Sequence, residues 1–95
     1  MSVLAFTPAA EDDLQSILSY IAQDRPETAM RVVAQIWQKC EFLAGNPLAG
    51  ERRPHISPIH RCSPVSRWVV FYRVQDEVVE IHRVLDGAQD LGSIF

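Results

Sequence analysis

Trp68-Val-Val-Phe-Tyr-Arg-Val-Gln-Asp-Glu-Val-Val-Glu-Ile-His-Arg-Val-Leu85 is the stretch on which the reading of the fold turns. Trp68 to Val74 is rich in β-branched and aromatic residues, which suit a pleated, half-buried surface. Gln75, Asp76 and Glu77 supply a tight turn. Beyond it, Val79, Ile81, Arg83 and Leu85 alternate with Val78, Glu80, His82 and Val84, so one face is mostly apolar and the other mixed. Two such runs around a short polar turn predict an antiparallel β-hairpin.

Working outward, Gly50, Pro54, Pro58 and Pro64 forbid helix upstream of the hairpin and fit an irregular lead into an edge strand. Further upstream the period changes from two to 3.6. Leu14, Ile17, Leu18 and Ile21 share one helical face, and Ala10 extends it. Thr7 is placed to cap this helix, with Pro8 at its first position and Glu11, Asp12 and Asp13 near the positive end of its dipole. The helix should end near Gln23. A second helix begins at Pro26, carries Ala29, Val32, Val33, Ile36, Cys40, Leu43 and Ala44 on one stripe with Trp37 at its flank, and stops at Gly45-Asn46-Pro47. The short turn between them predicts an antiparallel helical hairpin. Val3 to Phe6 reads as a first strand, buried on both faces inside a sheet. The sum is an α+β fold: a two-helix antiparallel hairpin on one face of a small, mostly antiparallel sheet, in the order β-α-α-β-β-β, one domain over residues 1–95. Leu14, Ile17, Leu18, Ile21, Val32, Val33, Ile36, Cys40 and Leu43 are expected in the core. The segment from Asp86 to Phe95 has no clear period and gives no reason to place Leu91, Ile94 and Phe95 there.

Composition agrees. The chain has 95 residues, 47% of them hydrophobic and 22% charged, values that speak against disorder. Such a length buries roughly 60–70% of the unfolded surface. No apolar run approaches the roughly 20 residues of a membrane span, and no signal peptide is visible at the N-terminus. A cytoplasmic location with Cys40 and Cys62 as reduced thiols is expected. Two cysteines without CxxC spacing do not make a zinc site, and neither metal nor cofactor is expected.

The net charge of −3 argues against direct nucleic-acid binding as the main role. Its distribution is uneven. Arg52, Arg53, Arg61, Arg67 and Arg73 fall in a segment without a single acid. Arginine suits bidentate recognition of carboxylate and phosphate. The segment therefore reads either as an anion-binding surface or as solvated arginines whose stems cover strand edges. His55, His60 and His82 could include a general base near these arginines. The simpler reading, preferred here, puts His55 and His60 in a polar loop and His82 on the solvated face of the last strand. None of Ser57, Ser63, Ser66 and Ser93 lies in a nucleophile elbow, and no phosphate loop or other catalytic motif is present.

Phe6-Thr-Pro-Ala-Ala-Glu-Asp-Asp-Leu14, Tyr20-Ile21-Ala22, Arg25-Pro26-Glu-Thr-Ala29, Leu43-Ala-Gly-Asn-Pro-Leu-Ala-Gly50, Val70-Phe-Tyr-Arg73 and Ile81-His-Arg-Val-Leu85 followed by Asp90, in this order and spacing, resemble the ParE branch of the RelE/ParE toxins of type II toxin–antitoxin modules. The resemblance spans nearly the whole chain. It implies the fold derived above, a cognate antitoxin (ParD-like or other) as partner in a hetero-oligomeric complex, and DNA gyrase as the target. RelE-like relatives are instead ribosome-dependent ribonucleases with basic residues and a late Tyr or His. Here Asp86-Gly87 stands where many relatives carry a histidine, and no tyrosine follows Tyr72. An aspartate is anionic at neutral pH and repels a scissile phosphate unless a metal or an arginine intervenes. The ParE-like, non-enzymatic reading is therefore preferred. An mRNA-cleaving toxin using Arg61, Arg73 or Arg83 with His60 or His82, and a member that only binds antitoxin, remain the alternatives. No catalytic residue is expected. The candidate partner-binding residues are Arg52, Arg53, Arg61, Arg67, Arg73, Arg83, Asp90, Leu91, Ile94 and Phe95.

Overall fold

Thr7 begins the first helix as the sequence predicts. In the computed structural model, which describes residues 2–95, its hydroxyl accepts from the Ala10 N–H at 3.1 Å and Pro8 opens helix α1 (Pro8–Ala22). Helix α2 (Pro26–Gly45) follows after three residues. At its end the Asn46 side-chain amide donates to the Phe42 carbonyl at 3.0 Å, satisfying one of the orphan carbonyls of the last turn. Strand β1 (Val3–Phe6) precedes the helices, and β2 (Glu51–Arg52), β3 (Arg61–Val65), β4 (Trp68–Gln75) and β5 (Val78–Asp86) follow them. A single 3₁₀ turn covers Leu91–Ser93.

The five strands form one sheet in the order β1-β5-β4-β3-β2, with β1 parallel to β5 and the other pairs antiparallel. The fold class is the one expected, with a short extra strand, β2, at the far edge. The β4–β5 turn puts Asp76 and Glu77 at φ 51° and 63°. Two left-handed residues match the twist of a two-residue hairpin. One expectation is corrected: β1 lies at the sheet edge rather than inside it, and Val3 is 65% exposed. Its parallel pairing needs the helical crossover that the two helices supply.

A second correction concerns the alternation along β5. Phe71 pairs with Arg83 and Tyr72 with Ile81, which leaves His82 as the extra residue of a β-bulge. The bulge reverses the parity. Val79 and Ile81 face the helices and Val84 continues that row, while Leu85 joins the opposite face. Thr7 braces the bulge by donating its hydroxyl to the His82 carbonyl at 2.8 Å.

Between the helices and the sheet lie Ala10, Ile17, Ile36, Cys40, Leu43, Val70, Tyr72, Val79, Ile81 and Val84. Leu14, Leu18, Ile21, Val32 and Val33, expected here as core, are only half-buried, because they sit at the margins of their stripes. Burial, and secondarily Glu41, pushes the Cys40 thiol up to about 12. The other sheet face is also covered. Cys62, Phe71, Leu85 and Leu91 form a second cluster with Ile56 and Val69. The C-terminal segment thus has a packing role that its lack of period concealed.

Candidate functional site

Three of the predicted arginines converge. Arg52 on β2, Arg61 on β3 and Arg73 on β4 line a groove of about 320 Å³ with Leu48, Ile59, Tyr72 and Val74. The groove is shaped by backbone contacts rather than by ion pairs. Arg61 donates from Nη1 to the Gly50 carbonyl at 2.9 Å, and Arg52 from Nη2 to the Pro58 carbonyl at 3.0 Å. Tyr72 forms the floor. Its hydroxyl accepts from the Gly50 N–H and donates to the Pro47 carbonyl, both at 2.8 Å. A Cβ at position 50 would fall on the Tyr72 ring, 2.6 Å from Cε1, so only glycine fits. Burial pushes the Tyr72 phenol above its ordinary value. Among the described residues Arg52, Arg61 and Arg73 make no ion pair, whereas Leu48 and Ile59 are exposed. The groove offers arginines free of ion pairs beside an apolar rim, the complement of an acidic segment with an apolar anchor.

The remaining candidates are placed elsewhere. Arg53 pairs with Glu51 at 2.9 Å. It lines a separate depression with Asp90 and Leu91. Arg67 pairs with Asp86 and lies over the Trp68 ring. Arg83 is bound in bidentate fashion by Asp13, at 2.7 and 2.9 Å, and Asp13 also accepts from the Val84 N–H. That carboxylate raises the already high value of Arg83. These arginines answer internal acids. Asp86, the residue that departs from the nuclease pattern, accepts from the Ala88 N–H at 3.0 Å as well as from Arg67, and both contacts hold it below the usual carboxylate range. It braces the end of β5. Ile94 and Phe95 remain partly exposed at the chain's end.

The histidines overturn their simple reading. His55 is exposed, but His60 is only 7% exposed and His82 is half-buried. His60 lies 2.6 Å from Ser57 Oγ through Nδ1 and 2.8 Å from His82 Nδ1 through Nε2, while His82 Nε2 lies 2.6 Å from Glu80 Oε1. The loop is closed over by the tail, with the Phe95 ring 4.9 Å from that of His60. Burial first, then His82 and Arg73, pushes His60 below the ordinary histidine value. The bulge at His82 directs this side chain to His60, and no alternation rule shows it. Sequence reasoning likewise does not reveal Tyr72 and Gly50 as a pair. The proline-flanked loop between them hides their approach, although both positions fall within the motifs of the resemblance.

Among the described residues no group of three or more histidine, cysteine or acidic side chains is arranged to hold a metal, and no helix is long and apolar enough to cross a membrane. No curated protein sequence is significantly similar to the chain. Among solved structures it is similar to the chromosomal ParDE toxin–antitoxin system from P. aeruginosa, at TM-score 0.77 and 26% identity over 90% of this chain and 96% of that one. A crystal structure of a YafQ mutant from E. coli shares the fold, at TM-score 0.56 and 12% identity over 93% and 96% of the two chains. The family model of the ParE toxin of the type II toxin–antitoxin system parDE matches residues 4–91. With that match over most of its length, the chain belongs to the ParE toxin family.

Proposed function

We propose that this ParE-family chain is a non-enzymatic toxin that inhibits DNA gyrase in the cytoplasm and is neutralised by an antitoxin whose acidic segment lies in the Arg52–Arg61–Arg73 groove. The observation that carries the antitoxin half is the contrast between these three arginines, which form no ion pair among the described residues, and Arg53, Arg67 and Arg83, which do. An intrinsically flexible partner folding onto the groove and its apolar rim gains area as well as charge pairing. The gyrase half follows from the family, supported by the chemistry of this chain. Cleavage of mRNA needs groups that take and give protons, each contributing about 10²–10⁴-fold. Arginine stays protonated and cannot be the base. Asp86 is engaged by Arg67, and His60 is sealed under Phe95. The surface offered to gyrase is the C-terminal segment, Arg83 to Phe95, where Ile94 and Phe95 remain partly exposed.

The test is direct. Purified chain is added to gyrase with relaxed plasmid, and separately to programmed ribosomes. Loss of supercoiling or accumulation of cleaved DNA, with intact mRNA, is expected. Codon-specific cuts in the mRNA, abolished by His60→Ala or His82→Ala, would assign the chain to the ribonuclease class instead. Inertness in both assays, with retained antitoxin binding, would leave only the binding role.

A further inference from the structure

Four side chains on the sheet face away from the helices form an unbroken chain, Ser57–His60–His82–Glu80, with spacings of 2.6, 2.8 and 2.6 Å. Each bond holds one proton. With neutral imidazoles and a Glu80 carboxylate, one pattern satisfies every bond. His82 Nε2–H donates to Glu80, His60 Nε2–H donates to His82 Nδ1, and the Ser57 hydroxyl donates to His60 Nδ1. One proton from solvent is accepted without loss of a bond. His82 then donates from both nitrogens, keeping its bond to Glu80, and His60 donates from Nδ1 to Ser57 Oγ, so the His60–His82 and Ser57–His60 bonds reverse. A second proton has no place. His60 Nε2 and His82 Nδ1 would both carry hydrogens, 2.8 Å apart, on two cations.

The C-terminal segment rests on this chain. The Phe95 ring lies 4.9 Å from that of His60 and 4.8 Å from that of Phe71. The backbone bonds of the segment after Gly87 are local, so Leu91 and Phe95 supply its hold on the sheet. The charged groups facing the histidines are few in kind. Glu80 is on β5 and Arg73 stands opposite it on β4. Arg83, beside His82, is held by Asp13, and Arg61, beside His60, donates to Gly50. The loop contributes neutral Ser57, β3 the buried Cys62 thiol, and the tail an apolar ring.

We propose that the Ser57–His60–His82–Glu80 chain is a proton-operated latch: it seats Phe95 while it holds at most one proton, and a second proton parts His60 from His82 and releases residues 91–95 from the sheet. The lowered value of His60, caused by burial, His82 and Arg73, is in keeping with a chain that resists this proton. Release bares Phe71 and Leu85 together with the segment's own Leu91 and Phe95, an apolar patch otherwise folded on itself. The latch is a property of the isolated chain and stands whether or not gyrase is the target.

An NMR titration of the isotopically labelled chain from pH 8 to acid reads three things: the proximity of the Phe95 and His60 rings, the protonation of the four histidine ring nitrogens at positions 60 and 82, and the proximity of the Phe6 and Trp37 rings on the helical side as a measure of folding. The Phe95–His60 signal should persist through the ordinary histidine range near ~6.5. It should vanish in a later, more acid step in which both rings are fully protonated, while the Phe6–Trp37 signal survives. Glu80→Gln removes the negative charge that offsets the added protons and should move release about one pH unit lower. Phe95→Ala should raise the second protonation step, because a proton that expels the ring must bind more readily without it. If Phe95 leaves His60 only as the whole chain unfolds, with the Phe6–Trp37 signal disappearing in the same step, the latch is overturned. A release unmoved by Glu80→Gln, or a histidine step unmoved by Phe95→Ala, would overturn it equally.

Discussion

Tyr72 is the side chain on which the arginine groove depends. It is fully buried, and its hydroxyl is both acceptor and donor to the backbone of the Pro47–Gly50 bend. Removing it leaves one buried N–H without a partner, so Tyr72→Phe should cost about 1–3 kcal/mol in chemical denaturation. Loss of the brace should also loosen Arg61, which is bonded to the same Gly50. At His60 the expected effect is on pH dependence. Its value is lowered in the folded chain, so between that value and the unfolded value near ~6.5 the unfolded state binds more protons. The contribution of His60 is therefore fully present above that range and is lost as pH falls below it. Denaturant midpoints taken at pH 7.5 and 5.5 should drop toward acid, and the drop should shrink in His60→Leu.

At the scale of elements, two features decide stability. Helix α2 buries Ile36 completely among Cys40, Leu43 and the sheet. Ile36→Ala should cost about 2–5 kcal/mol, and a loss of surface size would mean that the helix does not dock by this stripe. The β4–β5 turn carries a non-glycine strain. Glu77 sits at φ 63°, where an L side chain is disfavoured by about 1–2 kcal/mol. Glycine relieves that strain but loses more entropy on folding. Glu77→Gly should therefore stabilise by a net of about 0.5–1 kcal/mol, measured as a rise in denaturant midpoint with unchanged slope. The backbone bond from Val3 N–H to the Glu77 carbonyl is retained in the variant. It is this bond that begins the β1–β5 pairing.

At the scale of the molecule, a net charge of −3 conceals a polarised surface. Asp13 and Asp86 are spent on Arg83 and Arg67, and the groove arginines form no ion pair among the described residues. If the proposed antitoxin segment lies there, charge reversal should act on the encounter. Arg61→Glu with Arg73→Glu should slow association at least tenfold at low salt and flatten its salt dependence. Arg67→Glu, distant in function though similar in charge, should leave the salt dependence nearly intact. Stopped-flow mixing with the product of the neighbouring gene reads both.

The sequence by itself determined the elements and their class. Periodicity of 3.6 in the helices, capping at Thr7 and β-formers on both sides of Asp76-Glu77 are local properties, and local propensity agrees with the fold at each of them. The ParE resemblance was legible too, because it rests on short motifs in order. What the tertiary structure decided is which of the candidate residues meet. Five arginines in one acid-free segment looked equivalent, yet three share a groove and two answer carboxylates, because sheet register rather than chain order sets their neighbours. His60 and His82 lie 22 positions apart and touch only because β5 bulges at His82. The tail, without a period to announce it, is bound by the apolar face that this bulge turns toward it, for burial depends on what the rest of the chain leaves uncovered and not on the segment's own pattern.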